Sequence, residues 1–192
     1  MEGVVFKEII PDVITSDILP VTTVDMSFDA LHMPIEDNSI DAFFMVYTFH
    51  HIKNSNRFFY EIHRCLRKGG RFLMIEPTNN LWGSFVLQHI HHEHYDPMAE
   101  WEMEGYSPMS SPNSALAWIV FKGDSSRFER EFCYLTDRSI RYHKPFSYLV
   151  SGGVTASQFL PTFMYAFVKF VEFILSPLHP WIDMYSKIEL QK

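Results

Sequence analysis

Cysteine is scarce in this chain of 192 residues: only Cys65 and Cys133 occur, far apart and without CxxC spacing. That excludes a disulfide framework and a thiolate zinc site, and it suits a reducing cytoplasm. Basic charge is short as well, with 16 Lys and Arg against 23 Asp and Glu and a net charge of -7. Neutralising phosphates requires a basic face, so nucleic acid is excluded as a main partner. No long uninterrupted hydrophobic run exists. The most apolar stretch, 159–178, is broken by Pro161, Lys169, Glu172 and Pro177, whereas a membrane-spanning helix needs about 20 mostly apolar residues. The start, MEGVVFKEIIPDV, lacks a basic segment followed by an apolar one and does not read as a signal peptide.

What is present is a globular composition, 47% hydrophobic and 20% charged, which predicts a single domain over 1–192. Phe159, Phe163, Tyr165, Phe167, Phe170 and Phe173 crowd one segment. Such a helix is more often core than surface, and a membrane-surface or lipid-facing role stays open for it.

Three short apolar runs, 13–16, 42–47 and 71–75, read as strands covered on both faces, as in a parallel sheet. Between the last two, Phe58, Phe59, Ile62 and Leu66 recur at helical spacing over 54–66. Arg64, Arg67 and Lys68 complement the end of that helix, and Gly69 supplies a left-handed stop. A βαβ unit over 41–76 follows, and 24–28 reads as a further short strand. Helices are expected over 81–94, 114–121 and 160–175, a loop over 98–112, a turn at Ser151-Gly152-Gly153, and strands over 134–142 and 184–190.

Residues 13–77 carry an ordered series of motifs: Asp17, Asp29-Ala30, Met33-Pro34, Asp37-Asn38-Ser39-Ile40-Asp41, His50-His51-Ile52, Glu61-Ile62-His63-Arg64, Lys68-Gly69-Gly70 and Glu76-Pro77. In this order they resemble the class I methyltransferases that use S-adenosylmethionine, particularly the type 11 group. The resemblance implies an α/β, Rossmann-like sheet, mostly parallel, with helices on both faces. It also implies a cofactor-side half, 1–77, and an acceptor-side half, 78–192, with helical insertions.

A carboxylate ending a parallel strand can accept both hydrogen bonds of a ribose diol, the role assigned to Asp17. Asp29 is assigned the exocyclic amine of adenine, the Ala30 backbone the ring edge, and Tyr47 and Thr48 the crevice at the strand ends. Methyl transfer from a sulfonium needs alignment and desolvation more than acid–base chemistry. A base is required only where the acceptor must lose a proton. His91, His92 and Glu93 are expected to face the acceptor as base or polar lining. His89, His92 and Glu93 would share a helix face, but they lack the H-E-x-x-H spacing, so no metal is assigned. The acceptor is read as a small molecule or a lipid- or glycan-linked one.

The sequence departs from the family at its front, where the first strand and its glycine-rich loop are missing and Gly3 stands for the last loop glycine. Because that strand normally lies mid-sheet, its loss leaves two unpaired edges in a core. A non-catalytic remnant or binding module, and a peripheral membrane protein, are therefore the rival readings.

Overall fold

The computed structural model describes residues 7, 10–90, 93–102, 112–143, 146–150 and 160–192. Gly3, His91, His92 and the expected turn at 151–153 lie outside these, as does most of the loop expected over 98–112. The strands form two sheets. Strands β1 (Ser16–Asp17) and β2 (Met26–Ser27) pair in parallel. Strands β3 (Ile40–Val46), β4 (Leu66–Pro77), β5 (Thr136–His143) and β6 (Tyr185–Gln191) form a sheet in the order β3-β4-β6-β5.

Strands β3 and β4 run parallel, joined through helix α1 (Ser55–Cys65), as the βαβ reading requires. Asn54 caps α1 by accepting the Arg57 amide at 2.8 Å. Gly69 takes φ +81, the left-handed conformation expected of it, but within the irregular start of β4 and not as the helix stop, because α1 already ends at Cys65. Strand β6 enters antiparallel to both β4 and β5, so the sheet is mixed.

Both faces of this sheet are covered at β4 and β6. Phe72 and Met74 of β4 and Ile188 and Leu190 of β6 share a core with Phe58, Phe59 and Ile62 of α1. Ile75 and Tyr185 lie at the opposite parity and pack with Val86 of helix α2 (Leu81–His89). Phe49, Phe58 and Phe59 are fully buried, as expected.

The main core is aromatic: Phe59 meets Phe121, Phe128 and Phe132 at centroid distances of 5.7, 5.2 and 5.3 Å. Phe121 belongs to the turn Ile119–Gly123 that continues the short helix α3 (Leu116–Trp118), and Phe128 to α4 (Ser125–Glu131). After the short α5 (Ser147–Val150), α6 spans Tyr165–Ile174 and α7 His179–Ile182.

Two expectations need correction. Helix α2 stops at His89, so Glu93 and His94 lie beyond it and no helical face joins His89 to Glu93. The aromatic helix is not core: only Val168 and Glu172 of α6 are buried. Phe167, Phe170 and Phe173 are 60%, 59% and 75% exposed. Its apolar residues are distributed around the helix rather than along one stripe, so a single packing face cannot hide them.

Candidate functional site

The carboxyl ends of β3 and β4 are adjacent, because Val46 pairs with Ile75 in a parallel ladder. Open α/β sheets hold ligands in that position. Tyr47 leaves β3 with φ +50. This left-handed conformation costs a non-glycine residue roughly 1–2 kcal/mol, and it turns the chain sharply into the short helix Phe49–His51.

Glu76, at the end of β4 and fully buried, holds that turn. Its Oε1 accepts the Thr48 and Phe49 amides at 2.8 and 2.7 Å. Its Oε2 accepts His50 Nδ1 at 2.7 Å. A buried carboxylate is tolerated here because three donors replace its water.

The other His50 nitrogen, Nε2, lies 3.2 Å from Glu93 Oε2. Glu93 also accepts from Ser114 Oγ at 3.2 Å. Burial alone would lower the His50 pKa, but the attraction of Glu76, its hydrogen bond and the contact with Glu93 raise it to about 10. His50 is therefore an imidazolium clamped between two carboxylates. The neighbouring His51 ring stands 4.4 Å away, centroid to centroid. Its pKa is lowered, first by burial and then by the His50 charge. Its Nδ1 is buried without a hydrogen-bond partner among the described residues.

Asp17 and Asp29 form a second group, on the other sheet. Asp17 ends β1, and its carbonyl accepts the Phe28 amide at 3.0 Å, which brings the two carboxylates' backbones side by side. Each side chain makes one local turn contact: Asp17 Oδ1 with the Leu19 amide and Asp29 Oδ1 with the Leu31 amide, both at 2.9 Å. Both residues are exposed. The second oxygen of each has no partner among the described residues, leaving it open to a hydroxyl or amine. Adenosine presents such donors, so these residues fit that half of the cofactor. Ala30 packs partly buried against the core.

Of the sequence-derived site residues, Tyr47, Thr48 and Glu93 thus gather around Glu76, while Asp17, Asp29 and Ala30 gather at the smaller sheet. Sequence reasoning gave no chemical role to Glu76 or His50. The available signal was an acidic residue closing an interior strand, together with a paired histidine after the preceding strand.

Residues 13–74 match a family model described as a methyltransferase domain. No curated protein sequence matches the chain. Among solved structures, an S-adenosylmethionine-dependent methyltransferase of Archaeoglobus fulgidus superposes with a TM-score of 0.57 at 12% identity, covering 99% of this chain and 82% of that one. A methyltransferase of Thermotoga maritima gives 0.47 at 13% identity over 87% and 63% of the two chains. A phosphoethanolamine N-methyltransferase of Haemonchus contortus, in complex with S-adenosylmethionine, gives 0.38 at 14% identity over 85% and 36%. The first of these shows that the chain shares the fold of that methyltransferase.

Proposed function

We propose that this chain, a class I methyltransferase fold with a methyltransferase domain over 13–74, moves a methyl group from S-adenosylmethionine to a small-molecule or a lipid- or glycan-linked acceptor. The observation that carries the reading is the pair of exposed, half-open carboxylates at the ends of adjacent parallel strands. Asp17 takes the ribose diol, Asp29 the adenine amine and the Ala30 backbone the ring edge. Gly3 approaches the methionine end, and Tyr47 and Thr48 wall the crevice.

The cofactor supplies an electrophilic methyl on a sulfonium. The protein's task is to align the acceptor in line with it and to exclude water. Glu93 is the acceptor-side base, with His91 and His92 beside it in sequence as polar lining. The clamp of Glu76 on His50 fixes the ring that faces Glu93, and so orients the base.

A hydrophobic or lipid-linked acceptor is favoured over a polar one by the aromatic surface. Leu81, Trp82, Phe85, Trp181 and Ile182 line a shallow, open apolar surface. Phe163 is 80% exposed in the turn that leads into α6. Among the described residues no helix is long and apolar enough to cross a membrane, so a surface contact is the form this proposal takes.

Incubation with S-adenosylmethionine labelled in its methyl group, in the presence of a whole-cell extract, tests the function. Label recovered in the organic phase, and lost in Glu93→Gln, is expected. Label confined to small aqueous products keeps the activity and removes the lipid acceptor. No transfer by a folded chain contradicts the reading.

A further inference from the structure

His50, His51 and Glu93 each bring one potential ligand atom within 4.8 Å of the others. We infer that these three residues form a binding site for a divalent transition-metal ion, with Glu76 as the carboxylate that orients His50. This departs from the sequence expectation that the chain holds no metal, which considered His89, His92 and Glu93 on one helical face. The fold builds a different triad.

Four observations converge on it. The donor set is two imidazoles and one carboxylate, which suits zinc, iron, cobalt or nickel and not the oxygen-loving magnesium or calcium. The His50 Nε2 to Glu93 Oε2 separation of 3.2 Å is close to the spacing of two ligands on one tetrahedral ion with bonds of about 2.0–2.1 Å. His50 Nδ1 donates to the buried Glu76 at 2.7 Å, the carboxylate–histidine arrangement that fixes ring and tautomer behind a metal ligand. His51 Nδ1, buried in the same cluster, has no hydrogen-bond partner among the described residues. A buried ring nitrogen without a partner is uncommon unless an unplaced ion or water serves it.

Binding would replace the proton shared between His50 Nε2 and Glu93 with the ion, and that proton would leave to solvent. Three protein ligands leave at least one coordination position open. The side chain of Glu93 is 22% exposed, so the open position can face a water or an oxygen of the acceptor. In that state Glu93 is a ligand and not a free base. The inference stands independently of cofactor binding, because metal occupancy is read without S-adenosylmethionine.

The test uses the full chain, stripped with chelator and titrated with zinc by calorimetry and with cobalt by visible absorption. One ion per chain is expected, with the intense d–d bands of a low-coordinate nitrogen–oxygen site. His51→Ala and Glu93→Gln should each weaken binding at least tenfold, and Glu76→Gln, which weakens the hold on His50 without removing a ligand, by about tenfold. Circular dichroism checks that each variant is folded, and His51→Ala serves if a change at the buried Glu76 is not tolerated. Affinity unchanged in His51→Ala and Glu93→Gln but lost when His91 and His92 are both changed to Gln would overturn the assignment. So would the absence of saturable binding in the folded wild type.

Discussion

Glu76 is the residue on which the crevice turns. It satisfies two backbone amides and a charged imidazole from one buried position. Removing one partner of a buried, hydrogen-bonded charge pair costs about 3–5 kcal/mol. Glu76→Ala should therefore lower the stability measured by urea unfolding by about that amount, whereas Glu76→Gln, which keeps one acceptor, should lose less. Little of this was legible in the sequence. Lys68-Gly69-Gly70 announced its turn because the left-handed conformation selects glycine, but Glu76 looked like any strand-end acid. Its value comes from Thr48, Phe49 and His50, which only the parallel pairing of β3 and β4 brings to it.

Asp183 gives the opposite case, a buried carboxyl whose two oxygens have no hydrogen-bond partner among the described residues. His179 Nδ1 lies 3.3 Å from Oδ2 without hydrogen-bond geometry. Burial pushes the Asp183 pKa up to about 6, with nearby Glu172 adding to the shift and His179 and Lys169 opposing it. A raised folded-state pKa gives stability that is complete below the ordinary value of 3.8 and lost as pH rises through about 6. Asp183→Asn should thus raise the melting temperature relative to wild type at pH 8 and leave the difference near zero at pH 3.5, read by thermal scans at both pH values.

At the scale of elements, β3 and the aromatic helix are the two exposed surfaces that need explanation. Among the described residues no strand pairs with β3 on the side away from β4, and Phe44, on the face opposite Phe43 and Met45, is 45% exposed. Such an edge is a template for pairing with another chain. Phe44→Lys should reduce concentration-dependent light scattering while changing stability by no more than about 0.5 kcal/mol.

Helix α6 exposes its rings in a chain of net charge -7. Any membrane contact must then come from apolar burial and not from attraction to anionic lipid. The chain should co-sediment with phosphatidylcholine vesicles at both low and high salt, and Phe170→Asp should abolish this. The sequence placed α6 within a few residues and misjudged its surroundings, because periodicity shows a helix but not what covers it. It placed β6 and α1 well, since a buried alternating strand and a capped amphipathic helix carry their own local signals.

For the whole molecule, the division into two sheets is the main feature. Among the described residues β1 and β2 pair only with each other, apart from the four-stranded sheet. Arg64 and Glu61 of α1 tie the segment between the two sheets to the core. Arg64 donates to the Met33 and Ile35 carbonyls at 2.9 and 2.7 Å, and Glu61 accepts the Met33 amide at 2.9 Å. The halves on either side hold different groups, the exposed carboxylates of Asp17 and Asp29 in one and the His50–Glu93 cluster in the other. The first half was legible because its motifs fall in order along the chain. The second was not, because Glu76, His50 and Glu93 meet only through the fold.

The most direct test is isothermal titration of the 192-residue chain with S-adenosylmethionine and S-adenosylhomocysteine, with Asp29→Ala beside the wild type. Saturable binding of both, lost or weakened at least about tenfold in Asp29→Ala, is the predicted result, corresponding to the loss of about 1.4 kcal/mol or more. No binding by a folded chain, or equal binding by the variant, would contradict the account and leave a methyltransferase fold without a working cofactor site.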